Sequence, residues 1–192
     1  MDDSYLEYLY SESTSEQSAA GCSAQEYTAP TNRYFSLKVH GTKAAIEIKA
    51  DTTRSGFKTV RIESATVSAN SNGKNKRYDW EKKVAIQLTK TDILSFIAAM
   101  LLIKARAEFK HYGEKNDKSA MFDFQGGDGS NPRVFAQITQ KSKPQMGIPI
   151  PLNDAIQIGH MALNEYTKNF PNVTSDSVIR TLERLASFNT NV

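Results

Sequence analysis

The chain has 192 residues, 39% of them hydrophobic and 23% charged, enough apolar content to bury a core in one domain with tails. Its longest apolar candidate, Ile93 to Ile103, falls well short of the roughly 18 to 20 residues that a membrane helix needs, so no membrane role is expected. The net charge of +3 hides an asymmetry: residues 1–32 hold Asp2, Asp3, Glu7, Glu12, Glu16 and Glu26 with no Lys or Arg, which leaves +9 on the remainder.

The opening, MDDSYLEYLYSES, is acidic and Ser-rich and cannot bury enough surface to offset its ordering entropy, so residues 1–31 read as a disordered tail. It lacks the basic start and apolar run of a secretory leader. Cys22 is the single cysteine and has no internal disulfide partner. A reducing, cytoplasmic location is the expectation. The tail suits a solubilising role, a docking segment for a protein partner, or an autoinhibitory competitor of an anionic ligand.

From Tyr34 onward, strands alternate with turn signals. RYFSLKVHG places Phe35, Leu37 and Val39 on one face and Tyr34, Ser36, Lys38 and His40 on the other. TKAAIEIKA turns Ala44, Ile46 and Ile48 inward and Lys43, Glu47 and Lys49 outward. FKTVRIESATVSA sets Val60 and Ile62 against Thr59, Arg61 and Glu63, and Asn72-Gly73 turns the chain into KRYDWEKKVAIQLT. There Val84, Ile86 and Leu88 share a strand face with Tyr78 and Trp80, so core packing and surface stacking both stay open for the two aromatics.

Thr89 or Thr91 then caps a helix with Asp92 in its first turn, apolar on nearly every side from Ile93 to Ile103. Such a helix must be buried against a sheet or a partner chain. Four more strands follow: AEFKHYG, KSAMFDFQ, PRVFAQITQ after a GGDGS turn, and PQMGIPIPL, where Pro149 and Pro151 mark a strand edge or end. Asn153 or Asp154 caps a second helix, and a third spans about Asp176 to Phe188. The order is an internal pseudo-repeat of two ββββα units plus one extra helix.

Tyr78-Asp79-Trp80, followed by Glu81-Lys82-Lys83 and an apolar strand running into a Thr-led helix, resembles the Whirly proteins of the PC4-like single-stranded nucleic-acid-binding group. Gly41-Thr42-Lys43-Ala44-Ala45-Ile46, Glu108-Phe109-Lys110-His111 and the segment from Met146 to Leu152 are similar to further segments of that family. The resemblance implies an α+β, Whirly-like (PC4-like) fold: two antiparallel four-stranded sheets packed like blades, with helices forming the core of a homotetramer. It divides the chain into the tail (1–31), a single-stranded nucleic-acid-binding domain (32–171) and a C-terminal helical extension (172–192). It implies a protein that coats or protects single-stranded DNA in replication, recombination or repair, in a bacterial or phage setting. A transcription regulator or RNA-binding protein of the same fold is the alternative.

The residues themselves suit such a surface. Outward Lys38, Lys43, Lys49, Arg61 and Lys83 are candidate phosphate contacts, and the charged stretches around the aromatics add Lys76, Arg77, Lys82 and Lys110. Tyr34, Tyr78, Trp80, Phe109, Tyr112 and Phe135 are candidates for base stacking. On PRVFAQITQ, Arg133, Phe135 and Gln137 form a basic, aromatic and polar stripe. Any one exposed lysine is also what an ordinary solvated strand carries. An enzyme is not expected: His40, His111 and His160 lack metal-ligand spacing, and Gly126-Gly127-Asp128-Gly129 joins two strands rather than opening a helix. No catalytic residue, cofactor or metal is assigned.

Overall fold

The computed structural model of the chain describes residues 35–69, 76–126 and 131–189. The acidic segment, Tyr34, the Asn72-Gly73 turn and most of GGDGS lie outside the described residues. Strands β1 (Ser36–His40), β2 (Ala44–Thr52), β3 (Lys58–Thr66) and β4 (Val84–Gln87) form one antiparallel sheet in chain order. Helix α1 (Asp92–Met100) leads into β5 (Arg106–Tyr112), β6 (Lys118–Gln125), β7 (Arg133–Gln140) and β8 (Lys143–Pro151), a second antiparallel sheet, also in chain order. Helices α2 (Leu152–Thr167) and α3 (Ser175–Asn189) complete the chain. This is the expected ββββα-ββββα order with one more helix.

Alternation in the sequence becomes two buried ladders. On the first sheet Leu37, Ile48, Ile62 and Ile86 stand in one cross-strand row, and Val39, Ile46, Ser64 and Val84 in the next. On the second, Phe122 and Ala136 stand beside Ile148, and Ala120 and Ile138 beside Met146. The helices cover these faces crosswise: α1, from the first half, packs on β5 and β6, while α2, from the second half, packs chiefly on β1, β2 and β3. Phe96 of α1 meets Phe122 edge-on at 5.0 Å. The all-round apolarity of α1 is thus used within one chain, with Ile93 and Phe96 through Met100 buried.

Several local expectations give way. Phe35 precedes β1 and is 64% exposed rather than inward. Thr59 and Glu63, expected to face solvent, are buried. KRYDWEKKVAIQLT is not one strand. Tyr78 makes an isolated bridge to Val67, Trp80–Lys82 forms a 3-10 turn, and only Val84 starts β4. The Lys82 amide donates to the Asp79 carbonyl at 3.2 Å and the Lys83 amide to that of Trp80 at 3.4 Å, so the backbone turns out of the extended ladder and Trp80 leaves the face of Val84; the Lys82 ammonium also reaches the Asp79 carboxylate at 3.0 Å.

Helix α1 starts as expected: the Asp92 amide donates to Thr89 Oγ1 at 3.2 Å. It ends at Met100, three residues short of Ile103, through a Schellman turn. There the amide of Leu102 donates to the carbonyl of Ala99 at 3.2 Å and that of Ile103 to Ala98 at 2.8 Å. Leu102 occupies the left-handed position usually given to glycine, at φ 60°. Helix α2 begins at Leu152 directly from β8, so Asn153 and Asp154 lie in its first turn and Pro151 takes the cap position, its φ already set by the ring.

The two helices approach most closely at Gly159, where a Cβ would stand 2.6 Å from Leu101 Cδ2 and 3.1 Å from Met100 Cβ. Gly159→Val therefore overpacks the α1–α2 contact. We expect a loss of about 2 kcal/mol, read as a lower urea midpoint at unchanged m-value.

Candidate nucleic-acid interface

The outward face of the first sheet is built by register. Ser36, Lys49, Arg61 and Gln87 form one cross-strand row, and Lys38, Glu47, Glu63 and Ala85 the row beside it. Four of the expected phosphate contacts lie here or border it, and each has a carboxylate partner. Lys38 pairs with Glu47 at 3.6 Å, Arg61 with Asp51 at 2.6 Å, and Lys49 and Lys83 both reach Glu63, at 2.9 and 2.8 Å. Burial alone would raise the Glu63 carboxyl, but hydrogen bonds from Lys83 and Lys49 outweigh it and hold the group below its ordinary value. Asp51 is lowered in the same way: burial is outweighed by hydrogen bonds from Arg61, Gln87 and the Thr52 amide.

One end of this sheet is different. The Lys43 carbonyl accepts from the Val67 amide at 3.0 Å, Val67 bridges to Tyr78, and the Arg77 carbonyl accepts from the Ser68 amide at 2.8 Å. This backbone lacing brings Lys43, Lys76 and Arg77 to one rim, all exposed. Among the described residues none of the three has an ion-pair partner. Beside them lies an aromatic cluster. His40 stacks on Tyr78 at 5.3 Å with 29° between the rings, and Trp80 follows at 6.5 Å from Tyr78. The Tyr78 hydroxyl donates to the Gly41 carbonyl at 2.7 Å, and Lys38 Nζ sits 5.6 Å from the Trp80 ring centroid. Neither Tyr78 nor Trp80 is buried.

The outward face of the second sheet carries Arg133, Phe135 and Gln137 as expected. Phe135 stands between Asp123 and Pro149 in register, and its ring reaches across β8: a Cβ added to Gly147 would lie 2.7 Å from Phe135 Cζ. The missing side chain at Gly147 lets the ring lie over the strand. Arg133 Nε donates to Gln125 Oε1 at 3.2 Å. The two faces meet at a cleft of 580 Å³ lined by Lys38 and His40 from one sheet and Arg133, Pro149, Pro151 and Asp154 from the other side.

Two expected stacking residues do not belong to either face. Phe109 is 2% exposed and packs among Phe96 and Phe122 in the core, the outcome of its alternation with outward Glu108 and Lys110. Tyr112 is displaced by a bulge between Phe109 and Tyr112 that includes His111 at φ 62°. Its hydroxyl donates to Asp92 and accepts from the Thr89 amide at 3.3 Å, so it braces the start of α1. Burial and the Asp92 bond push its phenol well above the ordinary value. Lys110 is exposed and pairs with Glu108 at 3.1 Å, and Lys82 is engaged with Asp79. Tyr34 lies outside the described residues. His40, Glu63 and Gly147 belong to these faces although alternation alone does not single them out. The glycine inside an apolar strand was itself a sign of close approach.

Compared with protein-family models, the chain matches none. No curated protein matches its sequence. Among solved structures it matches WHY1 from Arabidopsis thaliana with a TM-score of 0.50 and 20% identity, over 74% of this chain and 92% of that one. It also matches MRP1/MRP2 of Trypanosoma brucei with a TM-score of 0.51 and 10% identity, over 80% and 97% of the two chains. At these identities the likeness is one of fold, and the fold is Whirly-like.

Asp51 and Glu63 titrate below their ordinary values of 3.8 and 4.5, so both contribute stability above those values. That contribution is lost as pH falls through their lower folded values. Urea unfolding should show stability declining below pH 4.5, and Asp51→Asn should flatten the decline by removing one of the two groups.

Proposed function

We propose that the chain is a non-enzymatic, largely sequence-independent single-stranded DNA-binding protein that acts as a homotetramer and coats or protects single strands during replication, recombination or repair. One observation carries this reading: three exposed cations that have no ion-pair partner among the described residues, Lys43, Lys76 and Arg77, share a rim with the His40–Tyr78–Trp80 cluster. Cations give phosphate affinity without sequence readout, and aromatic faces hold unstacked bases, which a duplex does not offer. The Phe135 ring over Gly147 supplies a second stacking surface on the other sheet. Both faces lie on the outside of the two sheets, where a strand of nucleic acid can reach them.

Fluorescent oligo-dT, a matched duplex and an RNA of equal length, titrated at two salt concentrations, test the proposal. Tight, salt-weakened binding to oligo-dT over duplex is expected. Equal or better binding to duplex would overturn the single-strand reading, and preference for the RNA would move the function to that polymer. Trp80→Ala and Phe135→Ala should each cost about 1 to 3 kcal/mol of binding. Gly147→Val, which lifts the Phe135 ring, should mimic Phe135→Ala. Lys43→Gln and Arg77→Gln should each flatten the plot of log affinity against log salt by about 0.7.

A further inference from the structure

Glu63 occupies the middle of the outward face yet is only 2% exposed. A single oxygen, Oε2, accepts from two ammonium groups, Lys49 Nζ at 2.9 Å and Lys83 Nζ at 2.8 Å. They arrive from different places, Lys49 from the neighbouring strand β2 and Lys83 from the end of the Trp80 turn. Asp51 repeats the pattern two rows on: its Oδ2 accepts from Arg61 Nε and from Gln87 Nε2, both at 2.6 Å. One anionic oxygen gathering two donors is the task a phosphate oxygen would perform on the same face. Resting on the proposed polyanion site, we infer that Glu63 is an internal counter-ion that occupies Lys49 and Lys83 in place of a nucleic-acid phosphate and so sets the affinity and salt sensitivity of that site.

Binding at this pair of lysines is an exchange of one anion for another. A phosphate arriving at a bare pair of lysines releases its own condensed counterions, and each contact steepens the salt dependence. A phosphate arriving at Lys49 and Lys83 must compete with a carboxylate that is covalently held in place and never diffuses away. Leaving Glu63 buried without its lysines is costly, because a buried charge needs its partners. The lysines therefore yield little to the incoming strand, and the rim cations Lys43, Lys76 and Arg77 carry most of the ionic binding. The result is a polymer held moderately and released readily, on a face whose charge would otherwise grip it.

The test compares wild type with Glu63→Gln on fluorescent oligo-dT across a salt series, with urea unfolding run on both. Glu63→Gln should bind about tenfold more tightly at low salt, with a slope steeper by about 0.7 to 1.4, the value for one or two added phosphate contacts on a single strand. Adding Lys83→Gln to Glu63→Gln should return about half of the steepening. If Glu63→Gln fails to fold, Glu63→Asp, which keeps the charge but draws the oxygen back, should shift affinity and slope in the same direction by less. Unchanged binding in a folded variant, or tighter binding at an unchanged slope, would overturn the counter-ion role while wild-type binding kept the proposed function. Absence of binding by both proteins at low salt would overturn that function and this inference with it.

Discussion

Each sheet has one apolar face that cannot be left in water, and the helix that covers it comes chiefly from the other half of the chain. Helix α1 lies on β5 and β6, and α2 lies on β1, β2 and β3. Neither ββββα unit therefore completes its own core, and the two interlock where Gly159 lets α2 approach Leu101 and Met100. The seam is further tied by Ser64 on β3, whose hydroxyl donates to the Ala45 carbonyl at 2.9 Å and meets Met146 Sδ of β8 at 3.3 Å. Because both inner faces are consumed in this way, both outer faces stay available, and they converge at the cleft between Lys38 and Arg133.

Charge on those outer faces is arranged rather than merely abundant. The first sheet sets four cations against three carboxylates, and the most central carboxylate is the most buried. Exposed ion pairs contribute about 0 to 1 kcal/mol each, so the pairs around Lys38 and Lys82 matter little to stability. Glu63 and Asp51 differ because they are shielded and each gathers more than one donor. Their effect is to hold the lysine and arginine side chains in defined positions, at the cost of the net attraction that the count of basic residues suggested. Ionic attraction is left to the rim, next to the aromatic rings.

Much of this architecture was legible in the sequence, because period-two alternation reports which side of a strand faces the core. Val134, Ala136 and Ile138 against Arg133, Phe135 and Gln137 is read correctly from eight residues. Alternation does not report what covers a face. Glu63 points outward as its alternation requires, yet it is buried beneath lysines distant in sequence. Phe109 has the aromatic ring of a stacking residue, but its alternation with Glu108 and Lys110 places it inside. A bulge displaces Tyr112, and a 3-10 turn closed by backbone hydrogen bonds displaces Trp80, events that no period records. Alternation also hides the rim, because Lys43 and Arg77 are brought together by the amides of Val67 and Ser68, which donate to their two carbonyls.

Both sheets are plain meanders, each strand pairing with the strand next to it in the chain. The entropy of closing a loop grows with its length, and here every sheet contact is closed through a single short connection or, before β4, one longer one. The first sheet can thus be completed from consecutive hairpins before any of the second has been synthesised. Its apolar face then stays uncovered until α2 arrives from the far end of the chain. During ribosomal synthesis the first core therefore cannot close until α2 has been made, so the crosswise cover that ties the two halves together also ties completion of the first half to synthesis of the second.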